Sequence, residues 1–198
     1  MTAILKVDTI QDTSGNNIIN ESSDTITIGA SGDTIALAGT TVTGITQGIT
    51  MADQWRLTTT FTGNASPIAT NLERNDSVGY GKIGTGMSES SGIFTFPSTG
   101  LYYIDFTGFV VGTGGASYLG GGIHGTTDNS SYNSMAQNFT NTQGNTDHAN
   151  FRCHTSFNVT NTSTHKVRFF QFSQNATGRL ESDANQVRTG FTFMRIGD

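Results

Sequence analysis

Ser91-Gly92-Ile93-Phe94-Thr95-Phe96-Pro97-Ser98-Thr99-Gly100-Leu101-Tyr102-Tyr103-Ile104-Asp105-Phe106 reads as two aromatic-rich strands joined by a Pro/Gly turn. Phe94 and Phe96 fall on one face of the first strand. After the turn, Tyr102, Ile104 and Phe106 alternate with Tyr103, Asp105 and Thr107, the period of two of a half-buried strand. Pro97 has no N–H to give to a ladder and ends the first strand. The stretch therefore belongs to a β-sandwich.

Similar runs recur on either side at the intervals an antiparallel sandwich requires: Trp55 to Phe61, Gly79 to Ile83, Ile93 to Phe96, Leu101 to Val111, Tyr118 to His124, Phe151 to Val159, Lys166 to Phe172 and Gly190 to Ile196. The long interval between His124 and Phe151 has room for a further strand around Tyr132 to Phe139. Loops 62–67, 112–117, 126–134, 140–150 and 175–185 are built of Asn, Gly, Ser, Thr and Asp, residues that accept tight or positive-φ geometry. No stretch carries a sustained apolar face at helical spacing, and the one candidate, around Met51 to Leu57, is too short to matter. Thirteen Phe and one Trp, at roughly 2 kcal/mol each when buried, offset the ordering of one sandwich. The expectation is an all-β chain with a C-terminal antiparallel jelly roll.

The opening stretch, Gly-x-Phe-x-x-Pro-x-x-Gly-x-Tyr-Tyr-x-x-Phe, resembles the central motif of the complement component 1q globular head, the trimeric jelly roll shared with tumour necrosis factor. Gly190-Phe191-Thr192-Phe193-Met194-Arg195-Ile196, followed by Gly197-Asp198, is similar to that family's closing strand. The resemblance covers about residues 52 to 198. Mammalian relatives place a Cys just before the motif's Pro, where this chain has Phe96, so the resemblance implies no disulfide here. It does imply a homotrimer, with aromatic side chains of one sheet meeting along the three-fold axis; Tyr103, Phe109, Phe170 and Phe172 are the candidate trimer-interface residues. A monomeric sandwich that keeps all its aromatics internal is the competing reading. Separately, Leu5-Lys6-Val7-Asp8-Thr9-Ile10-Gln11-Asp12, Asn16-Asn17-Ile18-Ile19-Asn20-Glu21 and Asp53-Gln54-Trp55-Arg56-Leu57 resemble structural fibre proteins of marine bacteriophages.

Before Met51 a nine-residue echo runs from Ser22 to Ala30 and again from Ser31 to Gly39. Ile26 and Ile28, then Ile35 and Leu37, point to one side of a short strand, while Gly and Ser supply the corners. A repeat this short cannot bury its own stripe within one chain, and winding three chains about an axis gives each stripe a partner. Val42 and Ile45 continue as a neck. Residues 1–50 are thus expected to form an N-terminal β-stalk or virion anchor and residues 51–198 the jelly-roll domain, with a flexible Gly/Ser/Thr-rich tail as the other reading of 1–50.

The chemistry-bearing residues do not assemble into a catalytic or metal pattern. The net charge is −5 and the ten Lys and Arg are dispersed, so no basic stripe marks a nucleic-acid partner. No apolar run approaches the length of about 18 residues that spans a membrane. No charged-then-apolar leader is seen either, so membrane insertion is not expected and the product is expected to stay soluble in the cell that makes it. Cys153 is the one thiol and alternates in phase with Phe151, Thr155 and Phe157, the position of a small core residue. His124, His148, His154 and His165 lack metal spacing. No Gly-x-Ser-x-Gly elbow occurs. Glu73, Asp76, Glu89, Asp105, Glu181 and Asp183 are too scattered to name a hydrolytic pair. Asp128-Asn129 and Asn145-Thr146-Asp147 carry Ca²⁺-ligating residue types but read better as turns. Asn-x-Ser/Thr triplets at Asn64, Asn129, Asn158 and Asn175 are what an Asn/Thr-rich chain contains by chance. Neither enzyme activity nor a cofactor is expected.

The function expected is that of a homotrimeric bacteriophage virion protein, a fibre or spike displayed at the virion surface after assembly in the host cytoplasm. Residues 1–50 would contact other virion proteins, and the head would bind host-surface polysaccharide through loops 112–117, 126–134 and 140–150. Tyr118, Asn129, Tyr132 and Asn145 are the candidate glycan contacts, the tyrosines as stacking platforms. The alternative is a capsid decoration or cement protein. A secreted lectin or cytokine-like module fits less well, for want of a leader and disulfides.

Overall fold

Strands are the regular elements that a sequence poor in helix formers and rich in β-branched and aromatic residues favours. In the computed structural model every helix or strand among the described residues, 9–11, 13–15, 17–22, 25–28, 31–34, 48–116, 118–144 and 146–197, is a strand. The chain divides into two units, residues 1–45 and 46–198. The first holds β1 (Thr9–Gln11), β2 (Asn17–Ser22) and β3 (Thr25–Ile28) in an antiparallel sheet of that order. β2 is its centre, pairing Ile10 with Ile19 and Ile19 with Ile28. Ile28 of the first repeat copy ends β3 and is exposed. Ile35 and Leu37 of the second copy, with Val42 and Ile45, lie outside the described residues.

The second unit begins with β4 (Met51–Leu57), β5 (Phe61–Thr62), β6 (Leu72–Arg74), β7 (Ser88–Ser90), β8 (Ile93–Thr95) and β9 (Gly100–Val111). It continues with β10 (Tyr118–Thr126), β11 (Asn133–Asn141), β12 (His148–Val159), β13 (Lys166–Ser173), β14 (Arg179–Leu180) and β15 (Gly190–Gly197). One sheet has the order β11-β10-β13-β8-β7. The other runs β5-β14-β9-β15-β4-β6, with β12 also paired to β9. All the paired strands are antiparallel.

The opening stretch is the corner between these layers. Ser91 (φ 52°) and Gly92 (φ 80°) close the β7–β8 hairpin, the pair of positive φ values that matches strand twist. A Cβ on Gly92 would sit 2.5 Å from the Ile68 carbonyl oxygen. β8 then pairs with β13, whereas β9 pairs with β12 and β15, so Phe96 to Thr99 cross from one sheet to the other. The Tyr102 hydroxyl donates to the Ser98 carbonyl at 2.9 Å and fixes that corner. Phe94, Phe96, Tyr102, Ile104 and Phe106 are all buried, as the alternation predicts. Between the sheets Phe106 stacks on Phe191 at 4.9 Å and meets Phe151 edge-on at 5.0 Å, and Phe169 lies 4.4 Å from Phe191. Cys153 joins this core, as expected. Burial pushes its thiol up to about 12, which keeps it protonated and unreactive.

Besides the short strands β6 and β7, which no run anticipated, three segments differ from the sequence expectation. Met51 to Leu57 is a strand whose inward positions are Met51, Asp53, Trp55 and Leu57. Gly79 to Ile83 is not a strand; it makes one bridge, Ala52 with Ile83, and β6 and β7 flank it. Side chains hold that loop instead of a ladder. Buried Asp53 accepts from the Trp55 indole N–H (3.0 Å), Arg74 Nε (3.0 Å), the Tyr80 hydroxyl (2.9 Å) and the Met87 amide (2.8 Å). β14 has two residues, too few to show a period. The further strand expected around Tyr132 to Phe139 is β11.

Candidate functional site

β10 reads Tyr-Leu-Gly-Gly-Gly-Ile-His-Gly-Thr. Its period of two sends Leu119 and Ile123 into the core and leaves Tyr118, Gly120, Gly122 and His124 on the outer face. The registers place Gly120 between Phe139 and Phe172, and Gly122 between Gln137 and Phe170. Without side chains, these glycines let the neighbouring rings lie down on the strand. A Cβ on Gly120 would meet Phe139 Cδ1 at 2.6 Å, and one on Gly122 would meet Phe170 Cε1 at 2.4 Å; a glycine inside a strand marks such close approach.

Above this floor lies a groove of about 700 Å³ lined by the outer aromatics of β10, β11 and β13 and by Asn64, Ala65 and Ser66. The volume is that of an ordinary small-ligand cleft. Tyr118 and Phe139 stack at 4.6 Å with planes 19° apart, and Phe172 meets both edge-on at 6.0 and 6.1 Å. His124 lies on Phe170 at 4.5 Å. Tyr118 and Phe172 remain 40% and 39% exposed, so large ring surface faces solvent. The wall at Asn64 to Ser66 is tied down by reciprocal backbone hydrogen bonds between Ala65 and Gln171 (3.1 and 2.9 Å) and by the Ser173 amide donating to Asn64 Oδ1 at 2.7 Å.

Farther along the same face Arg168 pairs in register with His124 and lays its guanidinium over the Tyr132 ring at 4.2 Å. Burial, then the positive charge of Arg168, lowers the His124 pKa and favours the neutral imidazole; its Nδ1 is buried without a hydrogen-bond partner. Asp128 is held down to about 2, first by the Thr126 hydroxyl and then by the amides of Ser131 and Ser130.

Of the candidate glycan contacts, Tyr118 forms one end of the groove and Tyr132 lies beyond its other end. Asn129 is exposed at φ 57° in the Asp128 turn, its amide donating to the Thr164 carbonyl at 2.9 Å. Asn145 lies outside the described residues. Asp128 Oδ1 and Asp147 Oδ2 serve as acceptors within their own loops, and among the described residues no three His, Cys, Asp or Glu gather to hold a metal.

The four trimer-interface candidates do not share a face. Tyr103 and Phe109 project from the outer side of β9, beside His154 (5.6 Å) and His148 (5.2 Å). Phe170 and Phe172 project from the outer side of β13 in the opposite sheet and line the groove. Alternation identifies an outward residue but not the sheet it leaves, so two outward sets were merged. Phe139, His124 and Gln137 were not among the candidate contacts; the triple glycine of β10 is the signal that points to them.

No protein-family model matches the sequence, and no curated protein matches it. Solved structures do. A crystal structure of murine APRIL at pH 5.0 superposes with a TM-score of 0.55 and 7% identity over 74% of this chain and 98% of that one. Eiger TNF from S. frugiperda gives 0.53 and 10% over 77% and 95%. At these identities the likeness is one of fold. The chain folds as a jelly roll similar to those of the tumour necrosis factor ligands.

Proposed function

We propose that this chain is a non-enzymatic bacteriophage virion protein, a homotrimeric fibre or spike whose jelly-roll head is displayed outward and attaches to host-surface glycan. The observation that carries this reading is the exposed aromatic groove over Gly120 and Gly122. Sugar rings present apolar C–H faces that stack on aromatic rings, and their hydroxyls pair with side chains such as Gln137, Asn64 and Ser66 at the rim. One shallow groove binds weakly, and three on one axis gain effective concentration against a repetitive surface. The trimer is supported by the family the fold resembles and by the outward Tyr103 and Phe109 on the second sheet. The virion assignment is supported by the fibre-like wording of Leu5 to Asp12, Asn16 to Glu21 and Asp53 to Leu57, with residues 1–50 as the anchor to other virion proteins.

The test uses the full-length chain. Light scattering is expected to give three times the 21.0 kDa chain mass, and labelled protein is expected to bind host cells and to lose that binding in Y118A/F172A. Loading onto empty capsids with no adhesion to cells would replace attachment by capsid decoration.

A further inference from the structure

The outward row of β13 reads Lys166, Arg168, Phe170, Phe172: two cations and then two rings on one line. Two-residue steps advance about 6.6 Å, so the row runs from the groove to a positive end at the separation of a short oligosaccharide. Lys166 Nζ is taken up by the Thr162 carbonyl at 2.7 Å. Arg168 differs. Arg56, Arg74, Arg152, Arg179 and Arg188 are ion-paired, and Arg195 donates to the Thr99 carbonyl and Thr50 hydroxyl. Among the described residues Arg168 has no carboxylate partner and its guanidinium lies over the Tyr132 ring, 4.2 Å from its centroid; its Nε, like those of Arg56 and Arg179, lacks an acceptor. The carboxylate that reaches this end is Asp128, whose charge is felt at Tyr132; its Oδ1 is turned into its own loop by Thr126, Ser130 and Ser131.

In a chain of net charge −5, a guanidinium without a carboxylate partner, held over Tyr132 beside an aromatic groove, matches a planar anion next to a ring. A guanidinium fork recognises a carboxylate bidentately. Resting on the attachment reading above, we infer that the groove takes an anionic oligosaccharide, its sugar faces on Tyr118, Phe139 and Phe172 and its carboxylate on Arg168. Neutral His124 lies between the two ends and can accept or donate a hydroxyl hydrogen bond.

The experiment is calorimetry of the full-length protein with oligogalacturonate and with its methyl ester, which keeps the rings and removes the charge. The acid is expected to bind about tenfold tighter than the ester, the worth of one charge-assisted hydrogen-bond pair. R168Q is expected to erase that preference, R168K to keep part of it, and Y118A/F172A to weaken both ligands, with thermal unfolding confirming that each variant is folded. Equal binding of acid and ester, unchanged in R168Q, overturns the anionic class while leaving attachment standing. Binding of neither ligand also overturns it, and adhesion of the same samples to host cells separates that outcome from failure of the attachment reading itself.

Discussion

Asp53 occupies an inward position of β4, where alternation alone calls for an apolar side chain, and it is tolerated because four donors converge on it. Its partners come from β4, β6 and the segment that follows, so one carboxylate fastens residues 74–87 to the sandwich. Removing it leaves Arg74 Nε and the Trp55 indole without their acceptor, while Arg74 Nη2 keeps the Met87 carbonyl. Asp53→Ala should cost about 3 kcal/mol, read as a lower urea midpoint, and a loss under about 0.5 kcal/mol would discount the hub. His124 supplies a second test. Its folded pKa lies below the ordinary 6.5, so the unfolded chain takes up the proton first as pH falls. The stability it contributes is present above that value and is lost as pH drops through 6.5 toward the folded pKa. His124→Gln should therefore lose less stability than the parent between about pH 7.5 and 5; identical losses would mean that burial beside Arg168 does not govern this ring.

The decisive strand is β10. Most of its glycines are there for contact, since a Cβ on Gly122 would meet the Ala136 carbonyl at 2.4 Å as well as the Phe170 ring. Gly122→Ala should destabilise by about 1–3 kcal/mol through overpacking and weaken glycan binding more than a distant change of equal cost, measured by thermal unfolding beside calorimetry. Strands of this kind were legible beforehand: the alternation in β8, β9, β10, β12, β13 and β15 marks their existence and inward side chains. β6, β7 and β14, with three, three and two residues, were not legible, because none carries paired aromatics like the Phe94 and Phe96 that, with Pro97 after them, mark the equally short β8. Gly79 to Ile83 looked strand-like through Tyr80 and Ile83 yet is held by the Tyr80 hydroxyl on Asp53, a side-chain anchor that periodicity does not register.

For the molecule as a whole, the outward aromatics separate into two surfaces on opposite sheets, and the two proposals use one each. Tyr103 and Phe109 on the β9 face suit self-association, and the groove on the β10–β13 face suits a ligand. Tyr103→Glu, at a half-exposed position where a monomer tolerates charge, should reduce the solution mass from three chains to one without changing the circular dichroism. An unchanged trimer would remove this face from the interface. Phe172→Ala should do the reverse, leaving the mass alone and weakening glycan binding.

Read in order, the residues dictate an all-β chain, the Phe94 to Phe106 corner and the inward or outward sense of each long strand. These follow from local sterics and the two-residue pleat, which every stretch of chain carries within itself. Sheet membership depends on pairing between strands tens of residues apart. That pairing separates Phe170 from Phe109, brings Phe139 beside Tyr118, and turns Arg168 toward Tyr132. A period of two is blind to it, because parity says which side a residue faces and nothing about what lies there.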